Sequence, residues 1–269
     1  MAVGSFALVP AIAPISPAAA AGSGTLPPSL AKFANCPVND KAVTLCLYSS
    51  TTSTTFTIGS TTVTSSSPTT LSVGVISKPK KTTVVLPDNG TQALQSPAIP
   101  LPGGLLGIPG APDSGPLAVT VTPQLVGVPT LSLAALLDGN GAGLTLPIDV
   151  LVSSSTGLLG SDCTIADSSS PITLNLTTGT TSPPSPNTPI TGAPGTLTGK
   201  ANGTQKISGM TLVDNSFAVP GTDNCGPDGL LDEVINLDKG LPSAAGNNTA
   251  ILSGNSYTAP ASLIRKYLG

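Results

Sequence analysis

Residues 144–152 read LTLPIDVLV, with Leu144, Leu146, Ile148, Val150 and Val152 at every second position. Side chains of an extended chain alternate between two faces, so this spacing sets all five on one side of a strand. A helix would scatter them around its circumference. Pro147, inside the run, has no backbone N–H to give to a ladder and predicts a strand at the edge of its sheet.

The same texture continues on both sides. Ile172, Leu174 and Leu176 alternate in PITLNLTT, Val119 and Val121 in PLAVTVTP, and Leu71, Val73 and Val75 in TTLSVGVI. Phe56 and Ile58 alternate with Thr in TTFTIGSTTVT, where Gly59-Ser60 predicts a hairpin turn. Gly, Pro, Asn and Asp separate these segments, and β-branched Thr and Val fill them, as a pleated surface favours. GNGAG at 139–143 reads as the turn before the strand from Leu144. Helix signals are few: LSLAALL at 131–137 fits two turns with Thr130 as N-cap and Gly139 past the end, and SLIRKYLG at the C-terminus is either a short helix or a frayed end. The expected class is all-β, one or more antiparallel sandwich-like domains with long Pro/Gly-rich loops and two disulfides.

The apolar, charge-free start of the chain ends in SPAAAAG, with A-x-A options at Ala18/Ala20 and Ala19/Ala21. This reads as a signal peptide over 1–21, although no Lys or Arg precedes the apolar run. The run is too short and too rich in Pro for a membrane-spanning helix. Two β-rich regions follow, 22–155 and 156–269, with the boundary placed at the Ser-rich run before Cys163. An exported chain suits disulfides, and four cysteines allow three pairings. Cys36 with Cys46 and Cys163 with Cys225 is the most parsimonious, one closing a short loop and the other a long one.

Two segments break the rhythm. Pro at 97, 100, 102, 109, 112 and 116 removes ladder donors from residues 96–116. Leu101, Leu105, Leu106 and Ile108 in that segment either cover a sheet face or form an apolar surface for a lipid or partner. Residues 178–196 are Pro-rich and charge-free, a semi-rigid linker or a polyproline crossover. Lys78-Pro79-Lys80-Lys81 reads as a strand edge blunted by charge.

Composition narrows the chemistry. The chain has no His, no Trp, one Arg (Arg265) and one Glu (Glu233) in 269 residues. General acid–base catalysis and metal sites lean on the residue types that are missing. No G-x-S-x-G or phosphate-binding glycine loop occurs, and no His can serve as base to a serine, leaving only a formal Ser–Lys pairing at Lys200 or Lys206. A glycosidase needs two carboxylates and usually aromatic platforms, and there are only three Tyr and four Phe. The net charge of −3 argues against nucleic acid, and the scarcity of aromatics against an outer-membrane barrel with its girdles. The acidic run around Asp223, Asp228 and Asp232 carries oxygen ligands suited to Ca²⁺, but its spacing departs from the EF-hand loop. Turn-forming Asp and Asn in a solvated loop pinned by Cys225 is the competing reading. No cofactor is implied.

The stretches SDCTIADSSSPITLNLTTGTTSPPSPNTPITG, LVDNSFAVPGTDNCG and LPSAAGNNTAILSG resemble a functionally uncharacterised family of exported proteins of high-GC Gram-positive bacteria. ANCPVNDKAVTLCLYSSTTSTTFTIGSTTV and LPGGLLGIPG are similar to it too. The resemblance implies export and places Cys163 and Cys225 in matching positions, with no catalytic residue to carry over. The expected function is non-catalytic: a secreted or cell-envelope protein with a structural, adhesive or interaction role toward envelope components or other surface proteins. The alternative is an extracellular module for an apolar ligand such as a lipid, and a hydrolase without His comes third.

Overall fold

The computed structural model describes residues 24–78, 81–88, 92–104 and 118–268. The signal-peptide segment 1–21, Pro79 and Lys80 of the basic cluster, and Leu105, Leu106 and Ile108 lie outside the described residues. Two antiparallel sheets face each other. The first runs β12 (Thr196–Gly199), β13 (Gln205–Asp214), β15 (Thr249–Pro260), β1 (Leu45–Ile58), β3 (Thr70–Lys78), β4 (Lys81–Val85), with β2 (Thr61–Ser65) beside β1 and β5 (Leu94–Gln95) beside β3. The second runs β14 (Thr222–Asp223), β10 (Thr164–Ile165), β9 (Leu144–Ser154), β7 (Val119–Leu125), β6 (Ile99–Pro100), with β11 (Ile172–Leu176) and β8 (Thr130–Leu131) also on β9. The stretches 22–155 and 156–269 interleave: β1 pairs with β15 in one sheet, and β9 pairs with β10 in the other.

All five alternating residues of β9 are buried in the main core between the sheets. Their strand is central, not an edge: β7 pairs along one side and β10 and β11 along the other. Pro147 is accommodated because its carbonyl, and hence its ring nitrogen, faces β7 where that strand's pairing stops at Leu125↔Ile148. The Pro147 oxygen still accepts from the Val126 N–H at 3.1 Å, so the missing donor costs the ladder one bond at the end of its pairing and none within it. Pro147 is thus corrected from an edge marker to a marker of where a neighbour leaves.

In β1 the face changes partway along. Leu45 and Leu47 pack against the main core before residue 52, and Phe56 and Ile58 do so after it. The pairing with β15 steps from Thr51↔Gly254 to Ser53↔Ser253, so Thr52 is an extra, bulged residue. A bulge inserts one unpaired residue and thereby shifts the alternation by one. Gly254 lies opposite, where a Cβ would collide with the Ser50 carbonyl.

Among the described residues three α-helices stand on the sheets. α1 (Leu133–Asp138) is capped by Ser132, whose hydroxyl accepts from the Ala135 N–H, with Gly139 left-handed at its end. The cap is therefore Ser132 and not Thr130, which instead pairs with Thr145 in β8. α2 (Asp232–Lys239) occupies part of the acidic run read as a solvated loop. α3 (Ala261–Leu268) settles the C-terminal alternatives in favour of a helix. It is pinned by Arg265, whose Nε donates to the Val38 carbonyl and whose Nη2 donates to those of Asp40 and Val43, each at 2.8 Å. That fork anchors α3 to the loop closed by the Cys36–Cys46 disulfide. Together they form a second, smaller core on the outer face of the first sheet, around Phe33, Cys46 and Ile264. The segment 177–195 carries the chain from β11 in one sheet to β12 in the other. Cys163–Cys225 is the second disulfide, fully buried in the main core. Two disulfides belong to an oxidising compartment. Among the described residues no helix is long and apolar enough to cross a membrane.

Candidate binding cavity between the sheets

Sheets stacked about 10 Å apart need bulky side chains to fill the space between them. This chain supplies mostly Val, Leu and Ile, and with four Phe, three Tyr and no Trp the gap is not filled throughout. A cavity of about 80 Å³ lies between Phe56, Ile58 and Val63 on one side and Val121, Ile148 and Ile172 on the other. Leu101 and Ile99 line it too. Of the four apolar candidates in the 96–116 loop, Leu101 is therefore placed at a cavity. A smaller void of about 20 Å³ continues from it past Phe56 and Ile148. Next comes one of about 60 Å³, which shares Leu94 and Leu146 with the 20 Å³ void. The hydroxyl of Thr54 borders the middle void and is buried with no hydrogen-bond partner.

At its other end the main cavity meets polar groups. Lys239, the last residue of α2, is almost fully buried, and its Nζ pairs with Asp238 Oδ2 at 2.8 Å and donates to the Gly104 carbonyl at 3.2 Å. A lysine ammonium has three donors, and among the described residues these two contacts use two of them. A polar recess of about 230 Å³, bordered by Ser60, Thr62, Pro102 and Asp238, shares Lys239 and Thr61 with the apolar cavity. The geometry is fixed by the β1–β2 turn. Ser60 donates its N–H to the Lys239 carbonyl at 3.0 Å and its hydroxyl to the Asp238 carbonyl at 3.3 Å. Gly59 has φ +56, and a Cβ there would collide with the Lys239 carbonyl. Behind the turn, the fully buried Asn248 accepts the Gly59 N–H through Oδ1 at 3.1 Å.

The sequence pattern alone did not disclose Lys239, because α2 was not legible as a helix. The signals were present: Asp232 and Glu233 in the first turn, Lys239 in the last, and Gly240 with Pro242 beyond it.

The acidic candidates are dispersed into local roles. Asp232 Oδ1 accepts the Cys225 N–H at 3.1 Å, and Asp223 Oδ2 accepts from Asn224 at 2.8 Å. Asp228 sits in a tight 3₁₀ turn with φ 53. Among the described residues no three such groups converge on a point where a metal ion could sit. Lys200 and Lys206 lie on the β12–β13 hairpin, away from the cavity.

Asp149, on the face of β9 opposite the five apolar residues, is the other buried charge of note. Its Oδ1 has no hydrogen-bond partner, and burial is the main cause that pushes its pKa above the ordinary 3.8, with the Asp167 charge adding to it. A carboxyl raised in the folded state favours folding when protonated and opposes it when ionised. Asp149→Asn is therefore expected to stabilise the protein at neutral pH by at most about 1 kcal/mol, since the carboxylate is only partly desolvated and keeps one backbone hydrogen bond. The gain should shrink to nothing as the pH falls below the ordinary aspartate value, and chemical denaturation at pH 7 and pH 3 checks the sign.

Against known proteins, no family model, no curated protein and no solved structure matches this chain.

Proposed function

We propose that this chain is a non-catalytic protein of the cell exterior that acts as a binding module, holding the aliphatic end of an amphiphile between its sheets. The observation that carries the reading is the junction at Lys239 and Thr61, where an apolar cavity meets a polar recess. The cavity takes the hydrocarbon, and the Lys239 ammonium at the junction takes an oxygen-bearing head in the recess beside Thr62. An empty cavity of 80 Å³ costs about 2 kcal/mol at roughly 24 cal/mol per Å³, a penalty that an occupant removes. At about half the ~150 Å³ of an apolar cavity that admits benzene, it suits a short aliphatic segment and not a bulky ring system. Two disulfides, the apolar N-terminus and the absence of His support an exported, non-catalytic chain whose partners are envelope components. Low charge and abundant Thr are equally compatible with a structural or adhesive coat.

The test is a titration with 1-butanol and with butanoate, whose short tails match the cavity, followed through the Ile and Val methyl signals by NMR. Saturable shifts are expected at Ile148, Ile165 and Ile172. Val121→Ile keeps the β-branch and adds one methylene to the cavity wall, so it should raise stability by about 0.8 kcal/mol and weaken probe binding several-fold. Methyl signals that stay still up to the solubility limit of both probes would sink the binding reading and leave the structural one.

A further inference from the structure

On the outer face of the first sheet, away from the inter-sheet cavity, three of the chain's ten cationic side chains converge on one pocket. Lys32 comes from the 3₁₀ turn Ala31–Phe33, Lys206 from β13, and Lys200 from the hairpin between β12 and β13. They border a concavity of about 150 Å³ whose floor is Tyr257 of β15. Lys32 Nζ lies 3.9 Å from the Tyr257 ring centroid, and Lys206 Nζ lies 5.6 Å from the same ring. No Asp or Glu among the described residues lines this pocket. Among the described residues none of the three ammonium groups pairs with a carboxylate.

Three like charges brought together without a counter-charge repel one another, and the ring face offsets part of that repulsion by cation–π attraction. What the arrangement lacks is an anion. The neighbouring polar groups say what carries it. Thr204 donates its hydroxyl proton to Asn202 Oδ1 at 2.8 Å, and Thr198, opposite Lys206 on the same face, donates to the Lys206 carbonyl at 3.4 Å. With these protons used internally, the hydroxyls offer lone pairs to hydrogen-bond donors. A ligand that answers both demands bears one negative charge and several hydroxyls.

We propose that this pocket binds an acidic carbohydrate, its carboxylate or phosphate held by Lys32, Lys200 and Lys206 and its hydroxyls by Thr198 and Thr204. Three lysines in a concave pocket of a net-acidic protein are too few for a nucleic-acid backbone or an anionic membrane surface, which engage longer basic tracts. A single charged sugar fits both the charge count and the concavity. The inference is independent of the inter-sheet cavity and stands if that site binds nothing.

The experiment is an NMR amide titration with glucuronate, glucose 6-phosphate, glucose and inorganic phosphate, at low salt and at physiological salt. Glucuronate and glucose 6-phosphate are expected to shift the amides of residues 198–206 and 257–258 saturably, with affinity falling as salt rises. The arm that binds more tightly tells uronate from phosphorylated sugar. Lys206→Met, which keeps the aliphatic stem over Tyr257, should weaken binding roughly 3–10-fold, and the triple Lys32→Met/Lys200→Met/Lys206→Met variant should abolish it with the fold intact by circular dichroism. Glucose binding as tightly as glucuronate would overturn the role of the lysines. Inorganic phosphate binding as tightly as glucose 6-phosphate would overturn the sugar. No shift with any probe, or shifts surviving in the folded triple variant, would overturn the site altogether.

Discussion

Asn248→Ala should cost on the order of 4 kcal/mol, the largest loss expected from any single substitution of a polar residue here. Asn248 is completely buried, and its amide gathers backbone groups from three separate segments. Nδ2 donates to the carbonyls of Phe217 at 2.9 Å, Ser243 at 3.3 Å and Ala244 at 3.1 Å, while Oδ1 accepts from Gly59. Alanine leaves these groups in a dry interior with nothing to replace the lost bonds, and each orphan costs about 1–3 kcal/mol. Two protons shared among three carbonyls, and the second lone pair on each oxygen, keep the total below the simple sum. Asn248→Asp is no rescue: it keeps the acceptor for Gly59 but turns an oxygen toward three carbonyl oxygens. Guanidinium unfolding with an unchanged slope and a much lower midpoint is the expected readout. A loss under about 1.5 kcal/mol would mean that water or a rearranged turn satisfies those carbonyls, against the tight geometry described.

The second large effect is removal of the Cys163–Cys225 disulfide. The two cysteines are 62 residues apart in sequence, and closing a loop of that length restricts the unfolded chain by about 4 kcal/mol on the chain-entropy model. Cys36 and Cys46, 10 residues apart, contribute about 3 kcal/mol by the same reasoning. The double variants Cys163→Ala/Cys225→Ala and Cys36→Ala/Cys46→Ala should therefore lose stability in that order, measured by denaturant unfolding. The longer bridge also carries local structure, since the Cys163 carbonyl accepts from Val152 and the Cys225 carbonyl from Leu231. The two bridges together approach the whole stability of an ordinary domain, about 5–15 kcal/mol. A reduced chain should hold its fold poorly, and full stability under strong reductant would contradict the disulfide account. Equal losses from the two double variants would show that loop length is not what sets the contribution.

How far the sequence could be read depended on whether the deciding signal was local. The five-residue alternation of LTLPIDVLV carried its own strand, face and burial, and both disulfide pairs followed from spacing and parsimony. Pro147 misled because whether a strand is central depends on where its neighbour ends, which no local pattern encodes. Thr130 and Ser132 are both competent caps, and the pairing of Thr130 with Thr145 across the sheet decided between them. The helix Asp232–Lys239 was hidden because its acidic start reads equally well as a polar turn. Of the candidate cavity, only Leu101 was singled out by its sequence context. Lys239, Thr61 and Thr54 come together only once α2, the Gly59 turn and the bulged β1 are in place, and those meetings span nearly two hundred residues.

Thr52 gives β1 a change of phase. Upstream of it, odd-numbered residues look toward the second sheet, and downstream the even-numbered ones do. The bulge works as a count and not as a chemical group: what matters is that one residue is left out of the pairing, not that it is threonine. A strand of the same sequence that paired straight through without the bulge would turn Phe56 and Ile58 outward and carry Thr55 and Thr57 inward. The wall of the cavity is thus written in the parity of the strand as much as in its apolar residues.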